Sequence, residues 1–206
     1  ACLRIHGSRV TIFQSDHPLA WGELDLPVLG MTCDWHGLPL DPPLGFVIAA
    51  DSSALWFVAT RQASACSLPG AGPGAFTEGL WLGDVAELFL ADPVGGAYLE
   101  FNLAPNGAWW AAKFTSPRVR SPQQPDFLTA VTSHRQETDG NGWCAALRVP
   151  LVLLQNEIDF VLRTTANATA ILNTPVQTFH SAARLPGVEP DFHQPGHFPP
   201  LRPAST

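Results

Sequence analysis

The side chains best suited to bind a polar ligand are Trp81, Glu87, Glu100, Asn102 and Trp109. Exposed indole rings can stack on the apolar face of a sugar ring, while carboxylates and amides hydrogen-bond to hydroxyl groups. The segments that carry the two glutamates and the asparagine are otherwise apolar, and burial of such groups is unfavourable unless they have partners. We therefore interpret these five residues as candidate ligand-binding residues.

Two tight turns are predicted to place these residues on three neighbouring strands. The segment 79–90 ends before a turn at 92–96, and a second strand at 98–103 runs back beside the first. The sequence Pro-Asn-Gly from position 105 reverses the chain again, because Asn-Gly tolerates positive φ. A third strand is predicted from residue 109 to residue 114.

A structural role for the same residues is the alternative interpretation. Trp81 lies in a predicted loop, where its indole either contacts a ligand or packs beneath the loop. Glu87 and Glu100 either bind a ligand or form a buried carboxylate pair that Arg118 or Arg120 bridges. The sequence leaves these alternatives open.

The order of the residues resembles a known family. Leu-Trp-x-Gly-Asp-x-x-Glu-x-Phe from position 80, Tyr-x-Glu-Phe-Asn from position 98 and Pro-Asn-Gly-x-Trp from position 105 look like the family 9 carbohydrate-binding module and the wider DOMON-like superfamily. The segments 179–182 and 190–198 resemble the closing part of such domains. The resemblance spans roughly residues 40 to 200 and implies that residues 1–206 form one domain.

The resemblance also implies a function, namely that of a non-catalytic module that binds carbohydrate. Trp81 matches a tryptophan that forms one wall of the sugar slot, and Glu87 matches a carboxylate that binds hydroxyl groups. Glu100 occupies a position where some members carry arginine, and Asn102 follows it on the same strand face.

The second wall of the slot departs from the family pattern. Close relatives carry a second tryptophan in the last strand, but here the corresponding sequence is His-Ser-Ala from position 180. Phe179, His180, Trp109 or Trp110 would have to supply this wall.

Two other classes of function stay open: a haem-binding or redox DOMON-like domain, and a structural or interaction module without a small ligand. DOMON cytochromes use methionine and histidine as axial haem ligands. Met31 is the only methionine, and it lies far from the motif in the sequence.

Metal sites have a few candidate ligands. Asp191, His193 and His197 have a spacing that suits zinc, and Asp84 or Asp92 could contact calcium. Neither pattern is a developed metal motif, so we expect no metal and no cofactor.

Catalysis has little support in the sequence. The chain contains no G-x-S-x-G, P-loop or H-E-x-x-H motif. Glu87 and Glu100 have the residue types of a glycosidase pair, but no other feature supports hydrolysis. We therefore predict a protein that is not an enzyme and has no catalytic residues.

The charge of the chain limits its partners. The formal net charge is −7, and Lys113 is the only lysine. Because there is no basic run, nucleic acid is not an expected partner. No apolar run approaches the ~20 residues of a membrane span. Carbohydrate is the expected partner, and the oligomeric state stays open.

The cysteines leave the redox compartment open. Cys2, Cys33, Cys66 and Cys144 form no C-x-x-C pair, and four cysteines allow three pairings, with free thiols as the alternative. A secreted or periplasmic location is the expectation.

An all-β fold follows from the pattern of short apolar runs separated by Gly, Pro and Asp. We predict a single antiparallel β-sandwich of the jelly-roll or immunoglobulin type with about ten strands. Beyond the three central strands, the predicted strands lie at 3–13, 44–50, 54–60, 128–134, 143–149, 158–165, 169–172 and 177–182, with a helical turn that starts at Pro150.

The C-terminal segment 190–198 is predicted to dock on the sandwich. Phe192 and Phe198 are its expected anchors, each contributing ~1.5–3 kcal/mol if fully buried. His193 would then hydrogen-bond to the backbone or to a carboxylate and have a structural role.

Overall fold

The computed structural model of the protein describes residues 10–138, 141–160 and 163–204. These residues form two β-sheets with few helical turns. The strands are β1 (Thr11–Gln14), β2 (Leu29–Cys33), β3 (Pro39–Ala50), β4 (Ala54–Arg61), β5 (Val85–Ala91), β6 (Tyr98–Leu103), β7 (Trp109–Ser116), β8 (Val119–Arg120), β9 (Thr132–Glu137), β10 (Trp143–Pro150), β11 (Thr165–Leu172), β12 (Thr178–Ser181) and β13 (Arg202–Pro203). The helices are α1 (Phe127–Ala130) and α2 (Leu151–Ile158), with short 3-10 helices at Leu80–Leu82 and Pro195–His197.

The two sheets have a simple strand order. The first sheet runs β13-β1-β3-β4-β10-β9, with β2 also paired to β3, and the second runs β12-β11-β5-β6-β7-β8. All neighbours are antiparallel except that β1 pairs in parallel with both β3 and β13. This confirms the predicted all-β sandwich. The described residues form more strands than the predicted ten. The two-residue strands β8 and β13 are too short to leave a periodic pattern in the sequence.

Side-chain alternation explains why the sheets pack face to face. On β5, Leu88 and Leu90 point toward the first sheet, and Leu99 and Phe101 of β6 join them in one apolar cluster. Removal of these side chains from water is the main driving force for the sandwich. The residues between them, including Glu87, must therefore point to the outer face of the second sheet.

A second apolar cluster covers that outer face. Phe89, Tyr98 and Phe114 on β5, β6 and β7 belong to it, together with Phe192 and Phe198 from the C-terminal segment. The strands β5 and β6 are thus buried on both faces. The prediction that the segment 190–198 docks on the sandwich, anchored by its two phenylalanines, is confirmed.

The predicted hairpins and turns agree with the structure. The pair β3 and β4 matches the predicted strands at 44–50 and 54–60, and their residues pair in antiparallel register. In the turn before β7, the Gly107 N–H donates to the Ala104 carbonyl at 2.9 Å, and Gly107 has a φ of 83°. The predicted strands at 143–149 and 177–182 correspond to β10 and β12.

Three predictions about elements are wrong or incomplete. The segment 128–134 is not one strand, because Asp126 accepts the Thr129 N–H at 3.3 Å and caps α1 before β9 begins. Pro150 is the N-cap of α2 rather than its first residue. The predicted strand at 158–165 is wrong, since α2 extends to Ile158 and β11 begins only at Thr165, and the predicted strand at 169–172 is the second half of β11. Of the predicted strand at 3–13, residues 3–9 lie outside the described residues.

The structure tests the predictions about cysteines and membrane spans only within the described residues. Cys33, Cys66 and Cys144 are not joined by disulfides in the described residues, and Cys2 lies outside them. No helix within the described ranges has the length and apolar character required to cross a membrane.

Replacement of Phe198 by alanine tests the anchoring of the C-terminal segment. Phe198 is 5% exposed and lies 5.7 Å from Phe89 between ring centroids. We expect Phe198→Ala to lower the free energy of unfolding by ~3–5 kcal/mol, as for other buried Phe→Ala changes. The melting temperature should fall by roughly 2–4 °C for each kcal/mol, measured by calorimetry.

Val188→Ala is the matched control, because Val188 lies just before the C-terminal segment and is 81% exposed. It should melt with the unmodified protein. Equal melting temperatures for Phe198→Ala and Val188→Ala would show that the segment does not stabilise the sandwich.

Candidate functional site

A cavity of about 410 Å³ lies on the outer face of the second sheet. Side chains from most strands of this sheet, from the 3-10 helix before β5 and from the C-terminal segment contribute to it. The lining residues are Trp81, Glu87, Glu100, Trp110, Phe114, Arg118, Arg120, Ile171, Phe179, Pro190, Phe192 and His193. Polar residues are thus combined with aromatic ones in a volume typical of small-molecule sites.

The floor of the cavity contains the two predicted glutamates. In the pairing of β5 with β6, Glu87 lies opposite Asn102 and Glu100 lies opposite Phe89, so the polar residues share one face. Both glutamates are 4% exposed. The Thr169 hydroxyl donates to Glu87 Oε2 at 2.7 Å, and the Asn102 amide donates to Glu100 Oε1 at 3.0 Å. The structure therefore brings Glu87, Glu100 and Asn102 together as predicted.

Arginine does not bridge the two carboxylates. Arg118 Nη2 lies 2.8 Å from Asp191 Oδ1, and Arg120 Nη2 lies 2.6 Å from Glu78 Oε1. The predicted bridge through Arg118 or Arg120 is therefore wrong. Both arginines lie at the rim of the cavity, where their long side chains reach acidic residues of neighbouring loops.

Burial shifts the pKa values of the two glutamates at the floor. It raises the pKa of Glu87 well above its ordinary value, and the neighbouring charge of Glu100 raises it further. Burial also raises the pKa of Glu100, although the Asn102 hydrogen bond and the rim arginines oppose this shift. The two carboxyl groups therefore compete for a proton near neutral pH.

Asn102 provides an unused hydrogen-bond acceptor beside this pair. Its side chain is fully buried, and within the described residues its Oδ1 atom has no hydrogen-bond partner. A buried acceptor without a donor costs ~1–3 kcal/mol. Asn102 does not itself line the cavity, but it places a further acceptor beside the two glutamates of the floor.

Aromatic side chains form the walls. The half-buried Trp81 lies on the 3-10 helix Leu80–Leu82 and contacts Trp110 edge to face, with 5.9 Å between ring centroids. The guanidinium of Arg120 covers Trp110 at 4.7 Å from its ring centroid. Trp81 therefore keeps part of its indole accessible, whereas Trp110 is held beneath the rim.

Trp109 does not line the cavity. Its indole points into the core between the sheets, contacts Phe76 at 4.9 Å between centroids and donates from Nε1 to the Gly74 carbonyl. Because consecutive strand residues face opposite sides, Trp110 takes the position that we predicted for Trp109. The sequence pair Trp-Trp does not reveal which of the two indoles faces outward.

Phe179 contributes the wall on the β12 side. Its half-buried ring lines the cavity and lies 6.1 Å from Phe192 between centroids. His180, the other candidate from this strand, is buried away from the cavity, with Nδ1 3.0 Å from the Cys33 carbonyl oxygen. Of the four predicted replacements for the second tryptophan, Phe179 and Trp110 line the cavity.

His193 is a cavity residue that the sequence did not identify as one. Tyr98 Oη accepts the Arg118 backbone N–H and also forms a hydrogen bond with His193 Nδ1 at 2.7 Å. His193 Nε2 lies 3.8 Å from Glu100 Oε2. The predicted carboxylate contact is made by the backbone, since the His193 N–H donates to Asp191 Oδ1 at 3.0 Å, while the imidazole contacts a phenol that the sequence did not predict. Burial and the charge of Arg118 lower the pKa of His193 to about 4.

The candidate haem and metal ligands lie elsewhere or have other partners. Met31 is buried in the core between the sheets. Asp84 accepts backbone N–H groups of Cys66 and Asn173, and Asp92 accepts the Val94 N–H. Among the residues that the structure describes, no group of three His, Cys, Asp or Glu side chains is placed to hold a metal ion.

Comparison with solved structures finds the same fold in other proteins. A candidate carbohydrate-binding protein from Bacteroides uniformis ATCC 8492 superposes with a TM-score of 0.72 at 15% identity, covering 95% of this chain and 99% of that one. No family model and no curated protein sequence matches the chain.

Family 9 modules are among the structures with this fold. A family 9 carbohydrate-binding module from Caldicellulosiruptor kristjanssonii in complex with cellotriose has a TM-score of 0.59 at 11% identity, over 96% of this chain and 95% of that one. Its glucose complex has a TM-score of 0.58 at 12% identity, over 96% of both chains. The fold that the motif resemblance implied is therefore confirmed.

Replacement of Glu87 by glutamine tests the raised pKa of the floor. A carboxyl group whose pKa is higher in the folded state destabilises that state as the pH rises above its ordinary value of 4.5. Each unit of difference corresponds to ~1.4 kcal/mol. We expect Glu87→Gln to gain stability relative to the unmodified protein between about pH 5 and pH 8, as measured by urea unfolding.

Glu137→Gln is the control, because Glu137 lies on β9 in the other sheet and its side chain is 82% exposed. Its stability should follow that of the unmodified protein across the pH range. A stability difference for Glu87→Gln that is independent of pH would contradict the raised pKa.

Proposed function

We propose that the protein is a non-catalytic carbohydrate-binding module whose ligand site is the cavity on the second sheet. The observation that carries this proposal is the combination of a partly accessible indole, Trp81, with a floor of buried hydrogen-bonding groups on one sheet face. Sugar rings have apolar faces and polar edges, and this arrangement complements both. The family 9 modules of the same fold that were solved with glucose and cellotriose support the proposal.

The positions of the walls suggest how a sugar ring would lie. Ile171 pairs with Phe179 on β12 on one side and with Val85 on β5 on the other, which brings Trp81 and Phe179 to the same end of the sheet. A ring that stacks on Trp81 would face Phe179 across the cavity. Its edge hydroxyls would then reach the carboxyl groups of Glu87 and Glu100 and the imidazole of His193.

The geometry favours binding over hydrolysis. Glycoside hydrolysis uses two carboxyl groups that flank the scissile bond from different sides. Glu87 and Glu100 instead lie on adjacent strands at one floor, and each is held by a hydrogen bond from its own sheet. We therefore infer that these residues position a ligand.

The proposal also covers the domain organisation, the partner and the location of the protein. We infer that residues 1–206 act as one binding domain, with carbohydrate and not nucleic acid as its partner, since the net charge is −7. A secreted or periplasmic location fits such a ligand.

Replacement of Trp81 by alanine tests the stacking platform. Loss of this indole should weaken binding of glucose and cello-oligosaccharides by about tenfold or more, since aromatic contacts contribute ~1–3 kcal/mol through area and ring geometry. Isothermal titration calorimetry with cellotriose measures the effect directly.

Leu82→Ala is the matched control because Leu82 lies on the same 3-10 helix, is 68% exposed and does not line the cavity. It should bind as the unmodified protein does. If Trp81→Ala and Leu82→Ala bind every tested sugar with equal affinity, Trp81 is not part of the binding site.

A further inference from the structure

Glu87 and Glu100 share a proton near neutral pH, so the floor of the cavity keeps a net negative charge that no buried cation balances among the described lining residues. At the rim, Arg118 is paired with Asp191 and Arg120 with Glu78, so each rim pair is neutral as a whole. His193, the remaining basic group of the lining, has a lowered pKa and is neutral at pH 7. Glu87 and Glu100 therefore form an acidic pair that is buried without a counter-ion of its own.

The hydrogen-bonding groups of the floor point to a donor-rich ligand. The ionised carboxylate of the pair only accepts hydrogen bonds, and Asn102 Oδ1, beside the lining residues, is a further buried acceptor without a partner in the described structure. Thr169 and the Asn102 amide each supply a single donor to this set. A neutral hydroxyl would supply donors but would leave the charge unbalanced.

An organic ammonium group matches this floor better than a metal ion does. It supplies three donors and a positive charge, and the faces of nearby aromatic rings attract it. A metal ion would require more ligands, and the described residues contain no group of three acidic, His or Cys side chains that could hold one.

We propose that the cavity selects a sugar ring that carries a protonated primary amine, with the ring stacked on Trp81 and the ammonium group between Glu87 and Glu100. This inference rests on the proposed function, because the stacked ring is what brings the amine to the floor. Arg120 lies over Trp110 and Arg118 pairs with Asp191 of the C-terminal segment, so both arginines lie at the rim, and their acidic partners reduce repulsion of the ammonium.

The charged and titratable groups around the site define a pH dependence. They are Glu87 on β5, Glu100 on β6, Arg118 before β8, Arg120 on β8, and Asp191 and His193 in the C-terminal segment. Because burial raises the pKa of Glu87 and Glu100, both become protonated as the pH falls. The preference for an amine should then disappear in acid while binding of a neutral sugar persists.

Calorimetry with glucosamine, N-acetylglucosamine and glucose tests the proposal at about pH 7 and about pH 4. We expect glucosamine to bind about tenfold tighter than either neutral sugar at the higher pH, as one balanced buried charge implies, and no tighter at the lower pH. Glu87→Gln and Glu100→Gln should each reduce this preference to about twofold or less. Glu137→Gln, in the other sheet, should retain it.

The possible outcomes separate the two proposals. If the neutral sugars bind and glucosamine binds no tighter at either pH, selection of an amine is rejected while carbohydrate binding stands. If glucosamine is preferred but both glutamine variants keep the full preference, the assignment of the amine to the floor is rejected. If the folded protein binds none of the three sugars and no cello-oligosaccharide, both proposals fail.

Discussion

Burial of the second sheet on both faces is the constraint on which the rest of the structure depends. Its inner face packs against the first sheet, and its outer face is covered by the docked segment that carries Phe192 and Phe198. An ordinary sandwich sheet would expose its outer face to water, and its polar residues would be solvated there. Here the docked segment buries the polar residues of this face, so the carboxyl groups of Glu87 and Glu100 are poorly solvated.

The same cover ties the formation of the site to the folding of the C-terminal segment. Tyr98 on β6 hydrogen-bonds to His193, and His193 in turn faces Glu100 at 3.8 Å. Burial chiefly raises the pKa of this phenol to about 12, so it stays protonated. Docking of the C-terminal segment and formation of the cavity are therefore one structural event, in which Phe192 and Phe198 anchor the segment and His193 lines the cavity.

Individual strands and helices show which parts of the fold local sequence patterns can predict. The hairpin of β3 and β4 was predictable because two long apolar runs flank a polar turn of three residues, and such turns act locally. The segment 128–134 was mispredicted because a single Asp cap at position 126 converts its first residues into α1. Likewise α2 extends past the predicted single turn, since its buried leucines pack against the core, which is a tertiary contact.

The sequence by itself determined the all-β class, the central strands and the shared face of Glu100 and Asn102, because alternation along strands and turn chemistry are local properties. Only the tertiary structure decided that Trp110 rather than Trp109 lines the cavity, since either indole suits a strand and the packing of the sheets selects the inward one. It also decided the partners of Arg118 and Arg120 and the place of Phe179 and His193. These contacts join residues far apart in the chain, and no local pattern specifies them.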